Sequence, residues 1–248
     1  MSTLFISDLH LQPAQPAVLQ ACLHFLRETA VGAEALYILG DLFEAWVGDD
    51  DDAPWLPEFC TALTALSDRG TRLYFVHGNR DFLLGKGPLG TDFAGRCGMA
   101  LLPETSVIDL YGRKALLMHG DTLCTEDRDY QAARQQLRSP QWQQAVLAKP
   151  LPERRQLAAA LRMESKTAGA QKADYIMDVT PDEVVRVMAQ HGVDLLIHGH
   201  THRPARHNLL VSGKPAQRIV LGDWGDKLWY LRATSDGALD LIEQHLAQ

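Results

Sequence analysis

Five short apolar segments of the sequence end directly in polar residues that can bind metal ions. These ends read Asp8-Leu9-His10, Gly40-Asp41, Gly78-Asn79, His119-Gly120 and Gly199-His200-Thr201-His202. The carboxyl ends of strands in open α/β sheets form the edge where ligands bind. A glycine beside most of these polar residues lets the backbone turn sharply and approach a bound ion. We therefore expect five strands that bring their polar ends to one edge of a sheet.

Helical patterns alternate with the first three of these strands, which we place over 3–7, 35–39 and 73–76. Apolar residues recur at helical spacing over 18–30, and a second helix is predicted over 57–67. This β-α-β-α-β order predicts a mostly parallel sheet with helices on its faces, which is an α/β fold.

The pattern changes over residues 127–177, where several helical windows replace the strand signals. A further helix over 181–190 precedes the strand that ends at His198, and the tail then alternates strand-like runs with turns. The sequence therefore predicts a core formed by residues 1–126 and 178–248. A helical cap insertion of residues 127–177 interrupts it.

The composition is ordinary for a globular protein, with 46% hydrophobic and 22% charged residues. There is no window of about 18 apolar residues and no basic-then-apolar N-terminus, so we expect neither a membrane span nor a secretory signal. The net charge of −7 argues against general nucleic-acid binding. Because Cys22, Cys60, Cys97 and Cys124 show no CxxC spacing, we expect unpaired thiols and a cytoplasmic protein.

The residue types at the strand ends indicate transition-metal chemistry. They offer carboxylates, an amide oxygen and four imidazoles, a mixture that suits Mn²⁺, Fe²⁺, Zn²⁺ or Co²⁺ better than Mg²⁺ or Ca²⁺. Seven ligands are too many for one ion and about right for two ions that share a bridging carboxylate, for which Asp41 is the natural candidate. Any one motif alone is more often a helix cap or a structural histidine, but five in this order are not.

The order Asp-x-His, Gly-Asp, Gly-Asn-x-Asp, His-Gly-Asp and Gly-His-Thr-His resembles the calcineurin-like metallophosphoesterase superfamily. The resemblance covers residues from Phe5 to about Trp224, all but the insertion. It implies a four-layered α/β/β/α sandwich that binds two divalent metal ions. One ion would be held by Asp8, His10, Asp41 and His202, and the other by Asp41, Asn79, His119 and His200.

Arg80 departs from the superfamily pattern, in which a histidine usually follows the Asn of the third motif. An arginine cannot act as a general acid at neutral pH, but its planar fork can hold a phosphate through two hydrogen bonds. The alternative is a surface ion pair between Arg80 and Asp81. We also expect Asp121 or His198 to orient a metal ligand through a hydrogen bond.

The insertion is basic, because residues 128–172 contain nine Lys or Arg against three Asp or Glu, a local net charge of +6. A helix that opens at Pro152 would carry a basic stripe and an apolar side, formed by Arg155, Arg162 and Lys166 and by Leu157, Leu161 and Ala168. Such a cap suits an anionic substrate with an apolar part, or an anionic membrane surface. The alternative is a solvated helix that packs on the core.

Further features resemble the UDP-2,3-diacylglucosamine hydrolase family of lipid A biosynthesis. They are Arg80 in place of histidine, Ser165-Lys166 with Lys172, residues 175–179, and Gly222-Asp223-Trp224. This resemblance runs essentially end to end and implies hydrolysis of the pyrophosphate of a UDP-linked diacyl sugar lipid to UMP and lipid X. We expect Mn²⁺ as the metal and a peripheral position on the cytoplasmic face of the inner membrane. We expect no nucleic-acid partner and no obligate protein partner.

By position, this resemblance also assigns roles to particular residues. The implied catalytic residues are Asp8, His10, Asp41, Asn79, Arg80 and His119. The implied substrate contacts are Asn79, Arg80, Asp127, Ser165, Lys172 and His200. Where the family commonly has an Asn four residues after that Ser, this chain has Gly169, so a contact there must be missing or come from the backbone.

Two other functions fit parts of the sequence. A related metallophosphoesterase could act on another nucleotide or on a different lipid-linked pyrophosphate. A non-enzymatic scaffold with a decayed site would lack at least one metal ligand, and none is missing here.

Overall fold

Two β-sheets form the centre of the computed structural model, which describes residues 1–86, 92–170 and 176–246. The strands are β1 (Ser2–Ile6), β2 (Ala35–Ile38), β3 (Arg72–Phe75), β4 (Met99–Leu101), β5 (Thr105–Leu110), β6 (Arg113–Met118), β7 (Leu195–His198), β8 (Ala205–Val211), β9 (Lys214–Val220), β10 (Lys227–Thr234) and β11 (Leu239–His245). The six-stranded sheet has the order β11-β10-β1-β2-β3-β4, and the five-stranded sheet has the order β5-β6-β7-β9-β8.

Both sheets are mixed, so the prediction of a mostly parallel sheet is only partly correct. Strands β1 to β4 are parallel, as are β6, β7 and β9. The flanking strands β5, β8, β10 and β11 instead pair antiparallel. Two of these pairs are hairpins whose two-residue turns, Tyr111-Gly112 and Ser212-Gly213, have positive φ at both positions. That geometry matches the twist of neighbouring antiparallel strands.

The two sheets pack face to face through a fully buried apolar layer. Phe5 of β1, Leu117 of β6 and Ile197 of β7 belong to this layer. Because side chains alternate along a strand, Leu4 and Ile6 point to the opposite face and pack under the helices there. Helices cover the outer face of each sheet, so the predicted four-layered α/β/β/α arrangement is confirmed.

The helices alternate with the strands much as the sequence predicts. They are α1 (Pro16–His24), which continues as a π-helical turn (Phe25–Thr29), α2 (Leu56–Asp68), α3 (Phe93–Arg96), α4 (Arg128–Leu137), α5 (Pro140–Leu147), α6 (Leu151–Ala170) and α7 (Pro181–His191). Helices α1 and α2 lie on the six-stranded sheet, and α7 lies on the five-stranded sheet. Among the described residues, no helix is both long and apolar enough to cross a membrane.

Helices α4, α5 and α6 form the part of the predicted insertion that the structure describes. Asp127 caps α4 by accepting a hydrogen bond from the backbone N–H of Tyr130 at 3.1 Å, and Ser139 caps α5 in the same way. The side chain of Leu157 on α6 packs against the same apolar cluster as α1 and α2. Val146 of α5 is buried in the same cluster, so α5 and α6 both fasten the insertion to the core.

The expectation of four unpaired thiols is wrong for two of them. Cys60 of α2 and Cys97, directly after α3, form a disulfide with their Cα atoms 4.8 Å apart. Sequence spacing could not show this, because the two residues are 37 positions apart and meet only when α3 packs beside α2. Cys22 and Cys124 are free and buried.

Candidate metal centre

The polar ends of β1, β2, β3, β6 and β7 meet at one edge where the two sheets adjoin. Backbone hydrogen bonds tie these ends together: the N–H of Asp8 donates to the carbonyl of Gly40 at 3.1 Å, and that of His10 to the carbonyl of Asp41 at 3.0 Å. The N–H of Gly199 donates to the carbonyl of His119 at 2.8 Å. The five segments that were singled out in the sequence therefore adjoin in space.

Most of the candidate ligands have an unusual backbone conformation. Among the described residues, seven other than glycine have positive φ, and five of these are Asp8, His10, Asp41, His200 and His202, with φ between 50° and 68°. Non-glycine residues rarely adopt this conformation, and those that do cluster at functional sites. The Asp-x-His and His-x-His pairs lie beyond the ends of β1 and β7, so this backbone, rather than the alternation of a strand, directs their side chains.

The first group of candidate ligands comprises Asp8, His10 and His202. The Nε2 atoms of His10 and His202 are 3.2 Å apart, and Nε2 of His202 is 3.4 Å from Oδ1 of Asp8. One ligand atom from each of the three lies within 4.8 Å of the others. Three such atoms facing one point are the arrangement that a cation requires.

The second group comprises Asn79, His119 and His200. Oδ1 of Asn79 lies 2.9 Å from Nε2 of His119 and 3.0 Å from Nδ1 of His200. Asp41 adjoins both groups, because its Oδ1 is 3.7 Å from Nε2 of His119 and it forms a 4.8 Å cluster with Asp8 and His119. This is the position that a bridging carboxylate would occupy.

The chemistry of these side chains fits divalent metal ions. Oδ1 of Asp8 is buried and has no hydrogen-bond partner, although an unpaired buried carboxylate oxygen is costly. Nε2 of His10 and Nε2 of His202 lie 3.2 Å apart, so without an ion one ring donates a hydrogen bond to the other. A cation would receive the lone pairs of both nitrogens and of the Asp8 oxygen, and this set of carboxylate, amide and imidazole ligands suits Mn²⁺, Fe²⁺, Zn²⁺ or Co²⁺.

Burial and nearby charges set the protonation of the histidines. Burial lowers the pKa of His10 to about 3 and that of His200 to about 4, so both rings are neutral at pH 7 and can offer a lone pair. Burial also acts to lower the pKa of His119, but Asp41 and Asp8 outweigh it and raise the pKa to about 9. A metal ion that binds His119 therefore displaces a proton.

Several hydrogen bonds orient the ligands. Nδ1 of His119 lies 2.8 Å from the carbonyl of Leu39, so Nδ1–H donates there and Nε2 is left for an ion. Oδ2 of Asp8 accepts from the hydroxyl of Ser7 at 2.6 Å and from the N–H of His200 at 2.9 Å, which leaves Oδ1 free. Ser7 was not predicted, and only its place beside Asp8 could have suggested it.

Asp81 is a second supporting residue that sequence reasoning did not identify. Its carboxylate is fully buried and accepts from the backbone N–H of Leu42 at 2.7 Å and of Gly78 at 2.8 Å. Asp81 therefore joins the loops after β2 and β3, which carry Asp41 and Asn79. The sequence alone suggests Asp81 only as an ion-pair partner of Arg80.

Asp121 and His198 make their hydrogen bonds away from the candidate ligands. Nε2 of His198 is 3.2 Å from Nη1 of Arg218, and Nδ1 is 2.8 Å from the carbonyl of Gly199. Asp121 accepts from the hydroxyl of Tyr130 and from Nε of Arg134, both at 2.7 Å. The expectation that one of them orients a ligand directly has no support from these contacts.

Arg80 lies at the metal centre and does not pair with Asp81. Its Nε is 3.2 Å from Oδ2 of Asp41, and its Nη1 is 3.0 Å from Oε2 of Glu44. Its backbone N–H donates to Oδ1 of Asp41 at 2.9 Å. Arg80 therefore presents a guanidinium beside the carboxylate that lies between the two ligand groups.

The basic stripe predicted on α6 is largely paired with acidic residues of the core. Arg155 contacts Asp51 and Asp52, and Arg162 contacts Glu44. Both arginines therefore hold the helix against the core, which agrees with the alternative interpretation of α6 as a helix that packs there. Their positive charge is largely neutralised by these acidic partners. Lys166 remains exposed.

The candidate substrate contacts in the insertion have different surroundings. Ser165 is exposed on α6, which also contains Gly169, whereas Asp127 is buried and caps α4. Lys172 lies outside the described residues. Of the six predicted contacts, Asn79, Arg80 and His200 thus lie at the metal centre, and Ser165 and Asp127 lie on the helices of the insertion.

Comparison with known proteins agrees with this fold and centre. The family model for calcineurin-like phosphoesterases matches residues 1–204, and the chain belongs to that family. It is 56% identical over 237 residues to a UDP-2,3-diacylglucosamine hydrolase of Cellvibrio japonicus, covering 96% of this chain and 97% of that protein. It is 51% identical over 247 residues to the enzyme of the same name from Marinobacter nauticus, covering 100% and 99%. Both resemblances inferred from the sequence are confirmed.

Proposed function

We propose that this protein hydrolyses the pyrophosphate bond of UDP-2,3-diacylglucosamine and releases UMP and 2,3-diacylglucosamine 1-phosphate, a step of lipid A biosynthesis. One observation carries the proposal: all seven candidate metal ligands converge in a chain that is 56% identical, nearly end to end, to a hydrolase of that name. A decayed, non-enzymatic site would not retain the complete set.

The candidate ligands would hold two divalent ions, for which we propose Mn²⁺. Asp8, His10, Asp41 and His202 would hold one ion, and Asp41, Asn79, His119 and His200 the other. Two bound ions supply an activated water at neutral pH and stabilise charge on the phosphoryl oxygens. The protein's own part is to hold the ligands rigidly, through the hydrogen bonds of Leu39, Ser7 and the backbone.

Arg80 supplies positive charge to the phosphoryl group that is attacked. Its Nε and Nη1 contact Asp41 and Glu44, while its Nη2 group forms no hydrogen bond or ion pair with the described protein residues. The N–H groups of Nη2 can donate to two phosphate oxygens and stabilise the charge that develops on them. With water attacking the α-phosphorus, UMP gains the water oxygen and the leaving group is the 1-phosphate of the sugar lipid. This leaving group is a phosphate anion at neutral pH, so it departs without a protonating group such as the histidine that Arg80 replaces.

Replacing Arg80 with Lys should lower kcat/KM about tenfold while leaving metal content unchanged. Lys keeps the positive charge but lacks the planar guanidinium group, which can donate hydrogen bonds to a carboxylate and to a phosphate at the same time. Steady-state kinetics on the Mn²⁺-loaded enzyme, with metal analysis of the same samples, would measure both effects. An Arg80→Lys enzyme with wild-type kinetics would show that the hydrogen bonds of the guanidinium group do not contribute to catalysis.

We propose that the acyl chains lie along α6 and that the protein works at the cytoplasmic face of the inner membrane, bound peripherally. Helix α6 is fastened to the core on one side, and its other side exposes Ala159, Ala160 and Met163, the last 73% exposed. Ala159 and Ala160 precede Met163 by four and three positions, so the three residues form an apolar strip. Asp127, Ser165 and Lys172 would contact the polar part of the substrate.

Product analysis tests the proposed reaction. The Mn²⁺-loaded protein should convert UDP-2,3-diacylglucosamine to UMP and the lipid 1-phosphate, separated by chromatography and identified by mass. UDP together with a sugar lipid that lacks phosphate would mean that a different bond is cleaved. Faster turnover of a water-soluble nucleotide pyrophosphate, in parallel assays, would instead favour the alternative of another substrate.

A further inference from the structure

Glu44 connects the cap helix to the metal centre, although neither the sequence patterns nor the ligand set assigns it a role. Its Oε2 is 3.0 Å from Nη1 of Arg80 and 3.5 Å from Nδ1 of the candidate ligand His10. Its Oε1 accepts a hydrogen bond from Nε of Arg162 at 2.8 Å, and Nη2 of Arg162 also contacts it. One carboxylate thus contacts two arginines, one from the core and one from α6.

The backbone around Glu44 is fixed from both sides. The N–H of Glu44 donates to the carbonyl of Leu11, the residue after His10, at 3.2 Å. Two residues later, the N–H of Trp46 donates to the carbonyl of Arg80 at 3.0 Å. Side-chain and backbone contacts therefore fix the position of Glu44 relative to both the first ligand group and Arg80. Glu44 cannot move away from either without breaking these contacts.

Two carboxylates determine which way the Arg80 guanidinium faces. Asp41 contacts Nε at 3.2 Å and Glu44 contacts Nη1 at 3.0 Å, so a carboxylate lies on each side of the planar group. The outer edge, formed by Nη2 and the second N–H of Nη1, is left for a phosphate, which can accept hydrogen bonds from it. With Asp41 alone, the side chain could rotate about its Nε contact, and this edge would lose its direction.

The second anchor of α6 shows that the helix does not need Glu44 to stay on the core. Arg154, only 3% exposed, contacts Asp50 and donates to the carbonyl of Val47 at 2.6 Å. Arg155 contacts Asp51 and Asp52. These pairs fasten the first part of α6 away from the ligands, so the contact between Glu44 and Arg162 has a separate consequence at the metal centre.

We infer that Glu44 is a positioning residue, which directs Arg80 toward the substrate phosphate and links that direction to the placement of α6 through Arg162. The inference rests on the proposed function only in taking a phosphate as the group that Arg80 meets. A phosphate-bearing substrate that reaches the metal centre beside α6 would thus meet an arginine already held in place, without the entropy cost of ordering it.

The kinetic test compares Glu44→Gln with Arg162→Gln and with Arg155→Gln as the matched control on the same helix. Glu44→Gln keeps the shape but loses the charge, and kcat should fall about tenfold with a smaller change in KM. Arg162→Gln should act mainly on KM, and Arg155→Gln should stay within about twofold of wild type.

In an Arg80→Ala background, Glu44→Gln should change kcat by less than about twofold, because the guanidinium group that Glu44 positions is absent. Glu44→Asp should restore part of the lost kcat.

A binding measurement keeps the inference independent of the identity of the substrate. Inorganic phosphate is titrated calorimetrically into the Mn²⁺-loaded wild type, Glu44→Gln, Arg80→Ala and the double variant. We expect Glu44→Gln to weaken phosphate binding about fivefold in the wild-type background and not in the Arg80→Ala background. Independent effects of the two substitutions, in binding or in kcat, would overturn the inference. Failure of the wild type to cleave UDP-2,3-diacylglucosamine would overturn only the proposed function, since the phosphate titration still decides the role of Glu44.

Discussion

Replacing Asp41 with Asn should lower kcat by about three orders of magnitude or more while leaving the protein folded. Asp41 lies between the two ligand groups. Its loss would remove the only candidate bridge among the residues that the structure describes, and would weaken both sites together. Metal-ion catalysis contributes several kcal/mol of transition-state stabilisation, and each 1.36 kcal/mol is tenfold in rate. Turnover of the lipid nucleotide and metal content per chain, measured on the same preparation, would check this.

The stability of the metal-free Asp41→Asn protein separates a catalytic effect from a folding effect. Burial raises the pKa of Asp41, which shows that its negative charge is disfavoured in the folded state without a metal ion. The metal-free variant should therefore unfold at a temperature no lower than that of the metal-free wild type. Near-normal activity in a variant shown to have lost a metal ion would contradict the two-metal site.

The strands and their polar ends could be predicted because short-range patterns determine them. Apolar runs of four or five residues that stop at a glycine and a polar residue are visible without any tertiary information. The end of β7 at His198 and the helix at Leu56–Asp68 follow from such patterns. The strand β4 (Met99–Leu101) was missed because three residues, two of them exposed, carry too little pattern.

The features that depend on long-range contact could not be predicted. Nothing in the sequence shows that Asp8 and His202 adopt positive φ, because that backbone is stabilised only once the strand ends meet. The disulfide between Cys60 and Cys97 likewise depends on a contact between residues that are far apart in the sequence. So is Glu44, which lies in no motif and gains its role from residues 36 and 118 positions away.

The helical cap shows how a correct local pattern can lead to an incomplete conclusion. The spacing of Arg155 and Arg162 on one side of a helix was inferred correctly. Their partners are acidic residues of the core, so most of this charge is neutralised within the protein. Charge counted along a segment predicts a ligand only when the opposite charge is not supplied by another part of the chain.

Replacing Gly78 with Ala should reduce activity about a hundredfold or more, although the substitution adds only one methyl group. A Cβ at Gly78 would lie 2.1 Å from Oδ1 of Asp41 and 2.3 Å from its backbone nitrogen. The backbone of Gly78 cannot move aside easily, because its N–H donates to Asp81 at 2.8 Å and its carbonyl accepts from Arg138 at 2.8 Å. Asp41 must therefore shift, and a displacement of about 1 Å at a reacting centre can cost a hundredfold in rate.

The effect of Gly78→Ala should come from steric conflict alone, since Gly78 does not have the positive φ that would make any side chain unfavourable. We expect metal content to fall and the free energy of unfolding to drop by about 1–3 kcal/mol, the usual range for overpacking. Gly225→Ala is the matched control, because a Cβ there meets no atom within 4 Å and its φ is also ordinary. The control should stay within about 0.5 kcal/mol of wild type and keep full activity. A Gly78→Ala enzyme with both metal ions and normal turnover would mean that Asp41 is not held against the loop after β3, and the bridging position assigned to it would be lost.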